Sequence, residues 1–250
     1  MTSGPAPTRW LARPRKVADP RLRLICVPHI GAGGAAFNSW VERLPADVEL
    51  CAVRFPGREN RLGEPLVDDL GALVDGLLPA LAPLLDRPFV LLGHCSGSVI
   101  AFELARRLRA GGGATPAMLV VSSSEAPRLR PPSELHLLGR EELLRRVVEF
   151  GGMPKEVLDD PDLLPLLERI FRADYRVVER VRYEPAPPLD VPITVIGGRR
   201  DGFVRAADMA AWSAETTRDF AFHLIDAEHF ILREAGELVG TLVRNLMGQT

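Results

Sequence analysis

Residues 89–97 read Phe89-Val90-Leu91-Leu92-Gly93-His94-Cys95-Ser96-Gly97, and a helical pattern follows from Ser98. Phe89–Leu92 is an apolar run of strand character, while Ser98–Arg109 spaces Val99, Phe102, Ala105 and Arg106 for one packed helix face. A residue held in a strained turn between strand and helix needs small neighbours two positions to either side, so that the backbones can approach. Only one frame meets this condition. Centred on Cys95 the flanks are Gly93 and Gly97; centred on Ser96 they are His94 and Ser98. The stretch is therefore predicted to be a nucleophile elbow carrying a thiol where G-x-S-x-G carries a hydroxyl.

Outward from the elbow, short apolar runs alternate with helical patterns. Leu22–Val27, Val48–Phe55, Met118–Val121, Ile193–Ile196 and Ala221–Ile225 join Phe89–Leu92 as strands, and Leu66–Leu85 is a further helix. Several strands lack polar alternation, which predicts burial on both faces of a mostly parallel sheet in a βαβ architecture. The alternation breaks over residues 126–189. There Glu141–Phe150 and a second helix opening at Asp160-Pro161, an N-cap with Pro at N1, run without an intervening strand. Pro-rich flanks, Pro127 with Pro131-Pro132 and Pro185 to Pro188, bracket this insertion. It is expected to be a helical lid over a core formed by residues 1–125 and 190–250.

In folds built around such an elbow, the acid and the histidine follow the nucleophile in chain order. Strand Val191–Ile196 runs into Gly197-Gly198-Arg199-Arg200-Asp201, and strand Ala221–Ile225 into Asp226-Ala227-Glu228-His229. Cys95, Asp201 and His229 are thus the expected triad, with Asp226 as the weaker candidate for the acid. Placement at a helix N-terminus, beside a histidine, favours the thiolate form of Cys95. His94 is expected to be a structural contact, His136 to belong to the lid and His223 to its strand. The glycine-rich loop Pro28-His29-Ile30-Gly31-Ala32-Gly33-Gly34 lacks the G-K-[ST] of a P-loop and the G-x-G-x-x-G of a dinucleotide site. It is read as supplying an oxyanion donor, the Ile30 N–H, opposite the Ser96 N–H of the elbow.

Composition narrows the function further. With 250 residues, 46% of them apolar, the chain can bury a substantial core, and 31 Lys+Arg against 33 Asp+Glu gives none of the basic excess that nucleic-acid binding requires. The longest apolar stretch, Leu77 to Leu85, is broken by Pro79 and Pro83, so no membrane span is expected. The apolar run after Arg9, Arg13, Arg15 and Lys16 lacks a small-residue cleavage site, so secretion is not expected. Cys26, Cys51 and Cys95 form no CxxC pair, which fits a reducing cytoplasm and leaves no metal motif or cofactor motif. Cys26 and Cys51, inside predicted strands, are expected to be packed and inert.

Several motifs resemble the stand-alone (type II) thioesterases of polyketide and nonribosomal peptide assembly lines, which are α/β-hydrolases. The resemblance runs from Trp10 to about Leu246. It rests on Pro28-His29 with its glycine-rich loop to Trp40, Phe55-Pro56-Gly57-Arg58-Glu59, the elbow leading into Phe102-Glu103-Leu104-Ala105, Leu135-His136-Leu137-Leu138, Gly151-Gly152-Met153-Pro154, Arg172-Ala173-Asp174-Tyr175, and Gly197-Gly198 through Asp201 to His229-Phe230. It implies cleavage of acyl groups from the phosphopantetheine arm of an acyl or peptidyl carrier protein, by a monomer whose lid shapes the acyl chamber. The substrate carries the phosphopantetheine, and no other cofactor is implied.

This sequence departs from the family at Cys95, where serine is usual, and at Ser96, where methionine is common. A thiol nucleophile exchanges one thioester for another, and thioesters react more readily with amines and thiols than with water. Hydrolysis is the family's reaction, and transfer of the acyl group to an amine, alcohol or thiol is the alternative. A dienelactone-hydrolase-like enzyme also places cysteine in such an elbow, and a non-catalytic carrier-binding module is a third reading. Arg54, Arg58 and Arg61, near a strand end, are candidates either for meeting an acidic carrier face or for a solvated charge run.

Overall fold

Alternation along the strands decides how the chain layers. In the computed structural model, which describes residues 9–248, β2 (Leu22–Val27), β3 (Val48–Val53), β4 (Phe89–His94) and β6 (Ile193–Gly198) are buried at every position. Successive side chains go to opposite faces, so Ile25, Val27, Leu91, Val121 and Val195 pack in one apolar cluster and Leu24, Cys26, Leu92, Val120 and Ile196 in the other. The sheet has seven strands in the order β1-β3-β2-β4-β5-β6-β7, where β5 is Met118–Ser122 and β7 is Phe220–Ile225. All pairings are parallel except that of β1 (Leu11–Ala12) with β3. The doubly buried, mostly parallel sheet agrees with the sequence reading.

Helices α1 (Leu70–Leu81) and α2 (Ser96–Ala110) cover the first face. The short α5 (Ala206–Ala210) adds Met209 to that face, and the second face is covered by α6 (Leu232–Gly248) together with Phe37 and Trp40. Helix α1 starts four residues later than expected, because the Asp69 side chain accepts the Ala72 N–H at 2.8 Å and caps it. Strand β4 runs on to His94 and α2 begins at Ser96, so the turn between them shrinks to Cys95 alone. Strand β1 is too short to show a period, and α6 is an element the sequence reading left unassigned. Among the described residues no helix is long and apolar enough to cross a membrane.

Between β5 and β6 lie α3 (Arg140–Glu149) and α4 (Leu164–Glu179). Leu143, Leu144, Val147, Met153, Phe171 and Tyr175 from this stretch form a cluster of their own. One expectation fails here: Asp160 does not cap α4. Its carboxylate accepts from the N–H groups of Asp162 and Leu163, closing a separate turn, and α4 starts at Leu164 with Pro165 in its first turn. Glu179, at the other end of α4, holds the preceding chain: it accepts from Ser133 Oγ at 2.5 Å, from the N–H groups of Leu135 and His136, and contacts His136 Nδ1 at 2.6 Å. His136 is accordingly buried inside the insertion.

Candidate active site

At the carboxyl end of β4 the chain turns through Cys95 with φ 52° and ψ −120°, a conformation an L-residue rarely adopts. The two glycines make it possible. A Cβ on Gly93 would lie 2.3 Å from Gly97 O, and one on Gly97 would lie 2.2 Å from Val27 O at the end of β2. The turn thus wedges α2 between two strand ends and leaves the Cys95 side chain partly exposed at their tips. The Cys95 N–H donates to Ser122 O at 2.7 Å, which ties the elbow to β5 as well.

Asp201 and His229 reach the same place from the loops after β6 and β7. A Cβ on Gly198 would sit 2.1 Å from Glu228 O, so only glycine lets these loops touch. Arg199 and Arg200 N–H groups then donate to Ile225 O and Ala227 O at 2.8 and 2.9 Å. His229 Nδ1 meets Asp201 Oδ2 at 2.9 Å, and Cys95 stands near enough to act on the charge of the ring. Asp201 is anchored by its second oxygen, which accepts from the N–H groups of Phe203 and Val204 at 2.9 and 3.0 Å. Asp226 points elsewhere: it is 79% exposed and pairs with Arg200.

The electrostatics of the site single out one imidazole. Burial opposes charge on His229, but the hydrogen bond to Asp201 and the negative charges of Cys95 and Asp201 outweigh it and lift the ring to about 10. Burial also acts against Asp201 ionising, yet the His229 bond and charge and the two backbone N–H groups hold it below the ordinary carboxylate value. His29 and His94 go the other way. Burial, then the charge of His229, brings His29 down to about 4, while burial with the neighbouring histidines pushes His94 well down. His94, fully buried with Nδ1 3.0 Å from Ser122 Oγ, is the structural contact expected of it. The positive charge therefore concentrates on the ring beside the thiol. Phe203 and Phe230 stand edge-on to that ring at 5.4 and 5.1 Å and help to exclude water from it.

Cys95 and His229 lie in the wall of a cavity of about 500 Å³ between the sheet and the helical insertion. Ile30, Val147, Phe150, Phe171, Tyr175 and Val178 give it an apolar lining, and Arg128, Arg130, Arg182 and Glu125 a polar one. Ile30 follows the end of β2, and its N–H and that of Ser96 donate to no acceptor among the described residues. Cys26 and Cys51 do not line this cavity. Burial raises the Cys26 thiol well above its ordinary value and Cys51 to about 12, so both are packed and inert.

Two residues read from the sequence as surface charges are placed differently. Arg58 and Arg61 are each 5% exposed. Arg61 stacks 4.2 Å from the Trp10 ring and pairs with Glu64 at 2.6 Å. Arg58 forms a bidentate pair with Asp174 of α4, both bonds 2.6 Å, and Asp174 also accepts the Gly31 N–H at 2.8 Å. Arg58 and Asp174 stand in two motifs separated by more than a hundred residues, and nothing in either stretch signals that they pair.

A mostly parallel sheet, a strained cysteine between strand and helix, and an aspartate and a histidine on the next loops but one and two give the chain an α/β-hydrolase fold. Its particular family follows from comparison. The Thioesterase domain model matches residues 22–247, and the chain belongs to that family. It is 33% identical to the gramicidin S biosynthesis protein GrsT of Aneurinibacillus migulanus, over 91% of this chain and 89% of that protein. Identity reaches 41% with the AMB antimetabolite synthetase AmbE of Pseudomonas aeruginosa, where the match spans 94% of this chain but 11% of AmbE. The structure of the type II thioesterase BorB from the borrelidin biosynthetic cluster is similar with a TM-score of 0.86 and 30% identity, covering 95% of this chain and 97% of that one. The protein is a hydrolase of acyl thioesters.

Proposed function

We propose that the chain acts on acyl thioesters carried by the phosphopantetheine arm of an acyl or peptidyl carrier protein domain, through a covalent acyl-enzyme on Cys95. The observation that carries this reading is the line Cys95–His229–Asp201 at the wall of the cavity, with the nucleophile at φ 52°. The proton already rests on His229, and the Cys95 sulfur attacks the carbonyl carbon. The carbonyl oxygen becomes an oxyanion held by the N–H groups of Ile30 and Ser96. Collapse breaks the bond to the pantetheine sulfur, which leaves with the proton from His229. Water, deprotonated by His229, then attacks the acyl-Cys95 thioester and releases the acid and the thiol. Residues 126–189 serve as a lid whose apolar face holds the acyl chain. Likeness to GrsT and BorB supports the assembly-line setting.

A second reading, transfer of the acyl group to an amine, alcohol or thiol acceptor, is favoured by one observation: the nucleophile is a thiol, so the intermediate keeps thioester reactivity. Intact-protein mass spectrometry tests both. With an acyl-phosphopantetheinyl carrier, wild type and Ser96→Ala should gain the acyl mass and Cys95→Ala should not. Adduct on Cys95→Ala that vanishes in Ser96→Ala would overturn the assignment of the nucleophile. Free acid as the dominant product at every amine concentration would rule out transfer.

A further inference from the structure

The loop that carries the Ile30 N–H is held from outside the sheet. Ala32 N–H donates to His29 O at 3.1 Å, and Gly31 has φ 79°, so residues 29–32 form a type II turn with glycine at its third position. Such a turn differs from type I by a flip of its central peptide, here Ile30–Gly31. In the orientation present, the Gly31 N–H points at Asp174 Oδ2, 2.8 Å away. A flip would turn the Ile30 carbonyl toward that carboxylate instead. A carboxylate only accepts, so it selects one orientation and repels the other.

The carboxylate is itself fixed. Arg58 binds both of its oxygens at 2.6 Å, and the same guanidinium donates to Ala32 O at 3.1 Å, on the far side of the turn. Three residues before Asp174, on the same face of α4, Phe171 packs so closely that a Cβ on Gly31 would lie 2.2 Å from its ring. Arg58, Asp174 and Phe171 therefore grip one turn from two sides, and the grip is complete only with α4 seated.

We propose that Asp174, held by Arg58, is a positioning residue for acyl transfer: it pins the turn at the peptide next to His29–Ile30 and so holds in place the Ile30 N–H that faces the oxyanion. This rests on the reading of Ile30 as an oxyanion donor. Asp174→Asn keeps the size and one acceptor oxygen, but loses an acceptor for Arg58 and the charge that pins the Gly31 N–H, so the turn and the Ile30 N–H it carries shift. Misaimed donors slow the step that builds the tetrahedral intermediate and spare reactions of Cys95 that have none.

The experiment compares two reactions of the same thiol in the full chain: acylation by a short acyl thioester and alkylation by iodoacetamide, which displaces iodide without forming an oxyanion. Asp174→Asn should slow acylation by about 10-fold to 100-fold, mainly in kcat, and leave alkylation within about 2-fold of wild type. Ile30→Pro tests the underlying reading, because proline suits the second position of a type II turn and removes the N–H. It should slow acylation by about 100-fold or more. Unchanged acylation in Ile30→Pro would overturn the oxyanion role of Ile30. A slowed Ile30→Pro with an unchanged Asp174→Asn would overturn the positioning role alone. Equal loss of alkylation and acylation in Asp174→Asn would reveal general damage to the fold and likewise overturn it.

Discussion

Gly97→Ala would press a methyl group into the space where α2 meets the end of β2. Its Cβ would stand 2.2 Å from Val27 O and 2.7 Å from Pro28 O, where ordinary contact starts at 3.4 Å. The atoms it meets are backbone, with no flexible end to swing aside, so α2 and β2 must separate by about 1.2 Å. That separation falls on the two donors at once. Ser96 N–H rides on α2 and Ile30 N–H on the chain leaving β2, so the gap between them widens by a similar amount.

A displacement of about 1 Å costs roughly 100-fold in rate when it misplaces reacting groups. Overpacking of this kind costs about 1–3 kcal/mol, or roughly 2–12 °C of melting temperature in a chain of this size. Thioester turnover and a thermal melt read the two effects separately. Gly63→Ala is the control, since a Cβ there meets nothing within 4 Å. Gly97→Ala should lose about 100-fold in kcat with a smaller change in KM, while Gly63→Ala stays within about 2-fold of wild type. Turnover of Gly97→Ala within about 3-fold of wild type, with an unshifted melt, would refute the wedge as the device that spaces the donors.

Two further outcomes follow from the same geometry. Asp201→Asn should lower kcat by on the order of 10³-fold, because the amide can present the wrong group to His229 Nδ1. His229 is raised from 6.5 to about 10, so the stability it brings is fully present below pH 6.5 and is lost as pH rises through about 10. The variant's melting deficit should therefore be largest near pH 6 and shrink toward pH 10; a deficit that grows with pH would contradict the assignment. Arg61→Ala should destabilise the fold by about 1–3 kcal/mol, through the lost stack on Trp10 and the lost bond to the Arg54 carbonyl, with KM for a carrier substrate unchanged. A raised KM with an unchanged melt would return Arg61 to the surface role its charge suggests.

Legibility in the sequence tracks how far apart in the chain the interacting groups stand. The elbow could be read because its requirements are local: strand, two glycines and helix fall within one short stretch, and sterics allow one frame. The strands were legible for a related reason, since burial on both faces writes itself as an unbroken apolar run. Asp201 and His229 needed only the topological rule that acid and base sit on later strand ends. Arg58 and Asp174 obey no such rule. Charge in a sequence reads as surface by default, and a buried pair whose members stand 116 positions apart overrides that default only in three dimensions. The cost of burying both ions is offset by the bidentate contact and by one further bond each to the Gly31 and Ala32 backbone groups, with Arg58 Nε left without a partner. An apolar pair of similar volume would avoid that cost but could not tell an N–H from a carbonyl. The charge stands where the orientation of one peptide matters, and that peptide follows the N–H proposed here as the oxyanion donor.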